Sequence, residues 1–276
     1  MTAGGIASRE ARAAARERLS VLADSTSVDV TTLADELAAV TALLDREVSL
    51  RRVLTDPSQP GEPKAELVGR LLGGQVGGEA VDLVSGMVRS RWSASRDLVD
   101  AVEELADTAD LIAAERAGVL DTAEDELFRF GRIVVSSPEL RSTLAGRDDD
   151  EVARSAKSAL VRRLLGGRAQ EVTQRLVVRL VERPRGRSLE GGLEDLSKLA
   201  AERRDRSVAV VTSAVPLSDS QQRRLGDALA KLYGRAIRLN LDVDPEVLGG
   251  ISVRIGDEVI EGTVVGRLDE VDRRLD

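Results

Sequence analysis

The feature that most restricts this chain is a match to itself. "KAELVGRLLGG" (64–74) returns as "KSALVRRLLGG" (157–167), identical at eight of eleven positions. Upstream, "TLADELAAVTALLDREVSLRRVL" from Thr32 aligns with "TAEDELFRFGRIVVSSPELRSTL" from Thr122. Asp35, Glu36, Leu37, Leu50, Arg51 and Leu54 there match Asp125, Glu126, Leu127, Leu140, Arg141 and Leu144. The first block recurs after 90 residues and the second after 93, and the difference falls in the loop between them, where length changes cost least. A short helical stretch follows each "RLLGG", and a longer charged one follows that. Order, offset and helix ends agree together, so the chain reads as two copies of one helical bundle. Two copies of so long a repeat argue against an extended solenoid.

Local signals agree with helices. In "TLADELAAVTALLD", Leu33, Leu37, Val40 and Leu44 fall on one stripe. Thr32 is the expected N-cap, with Asp35 and Glu36 in the first turn, where the helix dipole favours negative charge. Gly73 and Gly74 are expected to end one helix and Pro184 another.

After residue 205 the period changes. "SVAVVTSA" suits a buried strand, and "SDSQQRRLGDALAKLYG" a helix capped by Ser218 with Gln221 and ended at Gly234. Its expected apolar face is Leu225, Ala228, Leu229 and Leu232. "AIRLNLDV" alternates with Ile237, Leu239, Leu241 and Val243 on one side, and Ile251, Val253 and Ile255 alternate again. Gly256-Asp257 suits a hairpin turn, Gly249-Gly250 a tight connection, and Gly262 and Gly266 the close start of a last helix carrying Val264, Leu268, Val271 and Leu275. The fold class is therefore mainly α: a bundle over 1–113, a second over 114–205, and a small α/β domain over 206–276.

Composition removes most chemistry. With no cysteine and no histidine, disulfides, thiol nucleophiles, imidazole bases and nearly all zinc, copper or haem sites are excluded. Lysine is confined to Lys64, Lys157, Lys198 and Lys231, and Ser/Lys catalysis would need one of them beside a serine in a cleft, which nothing in the spacing encourages. A net charge of −8 and an aromatic set of only Trp92, Phe128, Phe130 and Tyr233 exclude a general nucleic-acid binder. The core must be aliphatic, and shallow grooves of valine, leucine and alanine follow naturally. No apolar run approaches the roughly 20 residues that cross a bilayer, and the first residues lack a signal core, so a cytoplasmic location is expected. "DDDE" (148–151) reads as a solvated loop and helix start rather than a metal site, "GGQVGG" (73–78) as a helix-ending linker rather than a nucleotide loop, and "RPRGR" (183–187) as a charged inter-helix loop rather than an anion site. No GxxxxGK[ST] occurs, so the glycines of the last domain are structural. No cofactor is expected.

The series Ile237-x-Leu239-xxx-Val243-Asp244-xx-Val247-x-Gly249-Gly250-Ile251-x-Val253-Arg254-x-Gly256, followed by "DEVIEGTVVGRLDEV", resembles the C-terminal signature of the F-type ATP synthase delta subunits, whose mitochondrial counterpart is the oligomycin-sensitivity-conferring protein. "PLSDSQQRRLGDALAKLYGRAIRLNLDVDPEVLGG" is similar to that family's preceding helix and strand, and "SREARAAARERLSVLA" with the "RLLGG" helices resembles its N-terminal six-helix bundle more loosely. The enlargement is similar to delta-like subunits of high-GC actinobacteria, some of which carry a fused membrane-spanning b-type segment that is missing here. The resemblance implies a non-catalytic stator subunit at the cytoplasmic face of the membrane, associated with the membrane only through its complex. Its bundle would receive the amphipathic N-terminal helix of an α subunit, and its C-terminal domain would meet the b subunit. The other readings are a helical adapter unrelated to ATP synthase and a ligand-binding α/β protein.

A bundle that receives a helix must leave an apolar groove between two of its own. The first copy offers Ala11, Ala15 and Leu19 beside Val81, Val84 and Val88; small residues four apart allow close approach. The second offers Val172, Leu176 and Val177 beside a different helix, "LIAAERAGVL". The first copy is the expected dock, and the competing reading is that these residues are simply core.

Overall fold

The computed structural model describes residues 5–25, 28–145, 151–206, 208–233, 237–245, 250–255 and 258–261. They belong to two compact units, Met1–Ala200 and Ala201–Asp276.

The first unit opens with α1 (Ile6–Asp24), α2 (Val30–Arg46), α3 (Val48–Thr55), α4 (Gly61–Leu72), α5 (Gly78–Arg89) and α6 (Ser95–Arg116). It continues with α7 (Leu120–Ser136), α8 (Pro138–Ala145), α9 (Glu151–Leu165), α10 (Glu171–Glu182) and α11 (Leu189–Arg206), which runs past the unit's edge. Displaced by 90 residues, α2 and α3 land on α7 and α8 at both ends; displaced by 93, α5 lands on α10. The same shifts carry α1 onto α6 and α6 onto α11. Helix α6 is thus the sixth helix of the first bundle and stands where the second bundle needs its first. The position between residues 113 and 114, where the sequence suggested a boundary, lies inside it.

Burial agrees. Leu98, Val99, Val102, Leu105 and Ala109 of α6 enter one core with Leu19, Leu33, Leu37 and Val84, while Leu111 and Ala114 enter another with Leu127, Phe130, Leu176 and Leu193. A helix apolar on so many sides must be enclosed. Its buried positions also include three acids, Glu103, Asp107 and Asp110, and charge at such depth needs partners.

The caps correct one sequence expectation. Helix α2 starts at Val30 and its N-cap is Asp29, not Thr32. The Asp29 carboxylate accepts from the backbone N–H of Thr31 and Thr32 at 3.0 and 3.2 Å, and the Thr32 hydroxyl donates to it at 2.7 Å. Asp35 and Glu36 therefore sit beyond the first turn. Glu36 reaches across the bundle and accepts from the Gly77 N–H at 2.7 Å, capping α5. In the second copy Glu126 does the same for α10, accepting from the Gln170 N–H at 2.8 Å and the Thr173 hydroxyl at 2.6 Å. The glycine stretch 73–78 is the link between α4 and α5: Gly73 is the C-cap of α4, Gly74 takes φ +76°, and Gly77 is the N-cap of α5.

The second unit contains β1 (Val208–Ser213), α12 (Asp219–Tyr233), β2 (Arg238–Val243), β3 (Ile251–Ile255) and β4 (Glu258–Glu261). The sheet order is β2-β1-β3-β4. Strands β1 and β2 are parallel, joined through α12, with Val208 opposite Arg238; β3 is antiparallel to β1, with Val253 opposite Val211, and β4 is antiparallel to β3. Ser218 and Gln221 form the expected capping box: the Gln221 side-chain Oε1 accepts from the Ser218 N–H at 2.9 Å, and the Gln221 backbone N–H donates back to the Ser218 hydroxyl at 3.4 Å. The apolar face of α12 is not as expected, because Leu232 is 67% exposed and Ala228 is exposed as well. Leu225 and Leu229 do turn inward as expected, joined by Tyr233, against Ala209, Val211, Ile237, Val253 and Ile255. Of the alternating row in β2, Ile237 is buried and Leu239 half-buried, while Leu241 and Val243 stay exposed. Gly250 takes φ +86° ahead of β3, a conformation that favours glycine. Gly249, the Gly256-Asp257 turn, Gly262, Gly266 and the expected terminal helix of Val264, Leu268, Val271 and Leu275 lie outside the described residues, as do residues 148–150 of the acidic run.

Candidate partner-docking groove

Helix α1 packs against both α5 and α6, as its stripe of small residues requires. Ala11, Ala15 and Leu19 are buried, and so are Val84 and Val88 of α5; Val81 is half-buried. These side chains bring the two helices together, but they are the floor of the bundle and not the lining of a groove. The open groove lies one row outward, a cavity of about 500 Å3 lined by Ala14, Glu17, Arg18, Val21, Leu22, Asp82 and Leu83. Val21 stands 68% exposed in it. The Arg18 guanidinium crosses α5 over Gly86, where a Cβ would displace it. A sequence signal for this lining exists: Ala14, Arg18 and Val21 are spaced four and three, a second row beside the core stripe. The arginine in its middle hides it.

The second copy differs. Leu176 and Val177 are buried and Val172 is half-buried, all in the second core, and the helix beside them is α6. The seam between α6 and α10 is ionic. Arg179 donates to Asp107 and to Asp110 at 2.7 Å each, and Arg175 donates to Asp110 at 3.0 Å and to Asp35 of α2 at 2.6 Å. The loop "RPRGR" adds to it. Arg185 and Gly186 take φ of +49° and +81°, and Arg185 then reaches Glu103 and, at 2.7 Å, Asp100, while Arg187 meets Glu103 at 2.8 Å. That loop is an ion-paired clamp on α6. Asp107 is raised to about 7, chiefly by burial, with Arg179 pulling it down and Glu103 and Asp110 pushing it up. Asp110 is raised mainly by burial, against the pull of Arg179 and Arg175. A cleft of about 450 Å3 lies instead between α2 and α10, walled by Asp35, Ala38, Ala39 and Ala42 of α2 and by Gln174, Arg175, Val178 and Arg179 of α10, with Glu103 its one lining residue from α6.

Among the described residues no helix is long and apolar enough to cross a membrane. The family profile described as ATP synthase delta (OSCP) subunit matches residues 108–275, from within α6 through the second bundle and the α/β unit. A protein named ATP synthase subunit delta from Streptomyces griseus is 73% identical over 269 residues, covering 98% of each chain. One of the same name from Streptomyces avermitilis is 72% identical over 100% of this chain and 99% of its own. Another, from Thermobifida fusca, is 50% identical over 90% of this chain and 91% of its own. A profile spanning more than half of the residues and relatives matched along nearly their whole length lead to one conclusion: the chain belongs to the ATP synthase delta (OSCP) subunit family.

Proposed function

We propose that this chain is the stator link of an F-type ATP synthase, holding the catalytic head to the peripheral stalk so that the head does not turn with the rotor. One observation carries the binding side of this reading: the open, partly apolar groove between α1 and α5, rimmed by Glu17, Arg18 and Asp82. Its shape suits one amphipathic helix, laid with an apolar ridge over Val21 and Leu22 and a cation toward Asp82. We assign that helix to the N-terminus of an α subunit, and assign the α/β unit, residues 206–276, to the b subunit. The role assigned here is mechanical and asks for no chemistry from the chain itself, in keeping with its lack of cysteine and histidine. It joins the cytoplasmic face of the membrane through the complex and binds no nucleic acid. The three-part division at residues 113/114 and 205/206 is kept as a functional one: first bundle for the head, second bundle as spacer, last domain for the stalk.

The test is a tagged full-length chain expressed in cells assembling the synthase. It is expected to sediment with membranes and bring down both α and b subunits after mild detergent extraction. Recovery in the soluble fraction without either subunit, while active synthase is present on the membrane, would sink the proposal.

A further inference from the structure

A duplicated bundle suggests two helix docks, and the two grooves can be compared position by position. Shifted by 90 residues, Ala14, Glu17 and Val21 of α1 correspond to Glu104, Asp107 and Leu111 of α6; shifted by 93, Asp82 of α5 corresponds to Arg175 of α10. In the first copy these four are exposed. In the second, each is engaged. Glu104 pairs with Arg12 at 3.3 Å and with Arg16, Asp107 with Arg179, and Arg175 with Asp35 and Asp110, while Leu111 is fully buried in the second core. Helix α2 stands across the cleft from α10, tied to it by the Asp35–Arg175 pair, with Ala38, Ala39 and Ala42 along its wall.

We infer that the duplication leaves one helix dock, not two: the α1–α5 groove is open, and the α6–α10 groove is used up in joining the bundles, with α2 as its neighbour in place of a partner helix. The chain therefore takes one α-subunit N-terminal helix, on its first bundle, which lies almost wholly ahead of the segment matched by the family profile. The second bundle, inside that segment, serves as a rigid spacer. The single-dock statement rests on the α-subunit assignment made above; the α2–α10 joint does not.

The chain has no cysteine, so pairs can be introduced cleanly. In the full-length protein, Ala39→Cys with Gln174→Cys, on opposite walls of the cleft, is treated with a short bismaleimide. Rapid intramolecular cross-linking is expected; its absence, with both thiols reactive, overturns the joint whatever the peptide does. A synthetic peptide of the α-subunit N-terminal segment is then titrated by calorimetry. One equivalent is expected to bind, with unchanged Kd in the cross-linked chain. Val21→Glu, at an exposed position, is expected to leave the circular dichroism spectrum intact and raise Kd about tenfold or more, as a charge set against a buried apolar contact would. Two bound equivalents, or loss of binding on cross-linking with Val21→Glu unaffected, overturns the single dock. Cross-linking with no peptide bound to the unmodified chain refutes the α-subunit assignment and the single dock with it, and leaves the joint standing.

Discussion

Glu36 and Glu126 perform the same task in the two bundles, each capping a helix more than forty residues away in sequence. Removing Glu126 strands the Gln170 N–H and the Thr173 hydroxyl, so Glu126→Ala is expected to cost about 0.5–2 kcal/mol, the usual range for a lost N-cap. Denaturant melts of the two proteins measure it, and an unchanged midpoint would contradict the cap. Val84 is 1% exposed, so Val84→Glu is expected to unfold the first bundle outright instead of blocking a groove selectively; loss of cooperative melting is the readout. Asp107 gives a pH signature. Burial raises its carboxyl to about 7 in the folded chain, above its unfolded value, so the native state holds this proton over a wider range. Its contribution to stability is full below the ordinary aspartate range and is lost as pH rises through about 7. Melting temperature should therefore fall between pH 5 and pH 7.5, in approximate terms, more steeply for the parent than for Asp107→Asn. Parallel slopes would refute the assignment. Asp29, whose carboxyl is lowered by its hydrogen bonds from Thr32, acts in the opposite sense and only in acid.

At the scale of elements, α6 is the one that two cores depend on. Leu105 faces the first core and Leu111 the second, both nearly inaccessible. Either truncation to alanine is expected to cost about 2–5 kcal/mol. Because the helix is shared, Leu111→Ala should also speed hydrogen exchange in α2, which belongs to the first bundle. Exchange changes confined to α7–α11 would mean that the bundles melt independently. Helix α11 crosses α10 at Gly192, where an added Cβ would meet the Leu180 side chain. Gly192→Ala gains helix propensity of up to about 1 kcal/mol, yet the overpacking, typically about 1–3 kcal/mol, should outweigh it. A more stable variant would show that the crossing is looser than described.

For the whole molecule, what the sequence determined by itself was its periodicity. The repeat, the helix ends at Gly73 and Pro184, the capping box at Ser218 and the change to strands after residue 205 are all local. Each follows from side-chain spacing and backbone preference within one segment. The C-terminal signature around Gly249-Gly250 was legible for the same reason, being one short run of residues. The structure decided everything that depends on which segments meet. Ala11, Ala15, Leu19, Val84 and Val88 have the right character for a groove, but solvent exposure is a property of the neighbours, and α6 and the other helices cover that face. Leu232 fits the stripe of α12 yet lies beyond the reach of a small sheet, whose core needs only Leu225, Leu229 and Tyr233 from that helix. That Glu36 caps α5 and not its own helix could not be read from spacing, because the partner N–H is a tertiary neighbour. The double role of α6 was hidden most deeply. Its charged positions look like a solvated face in sequence, and only the arginines brought in by α10 and the loop at 183–187 make it possible to bury them.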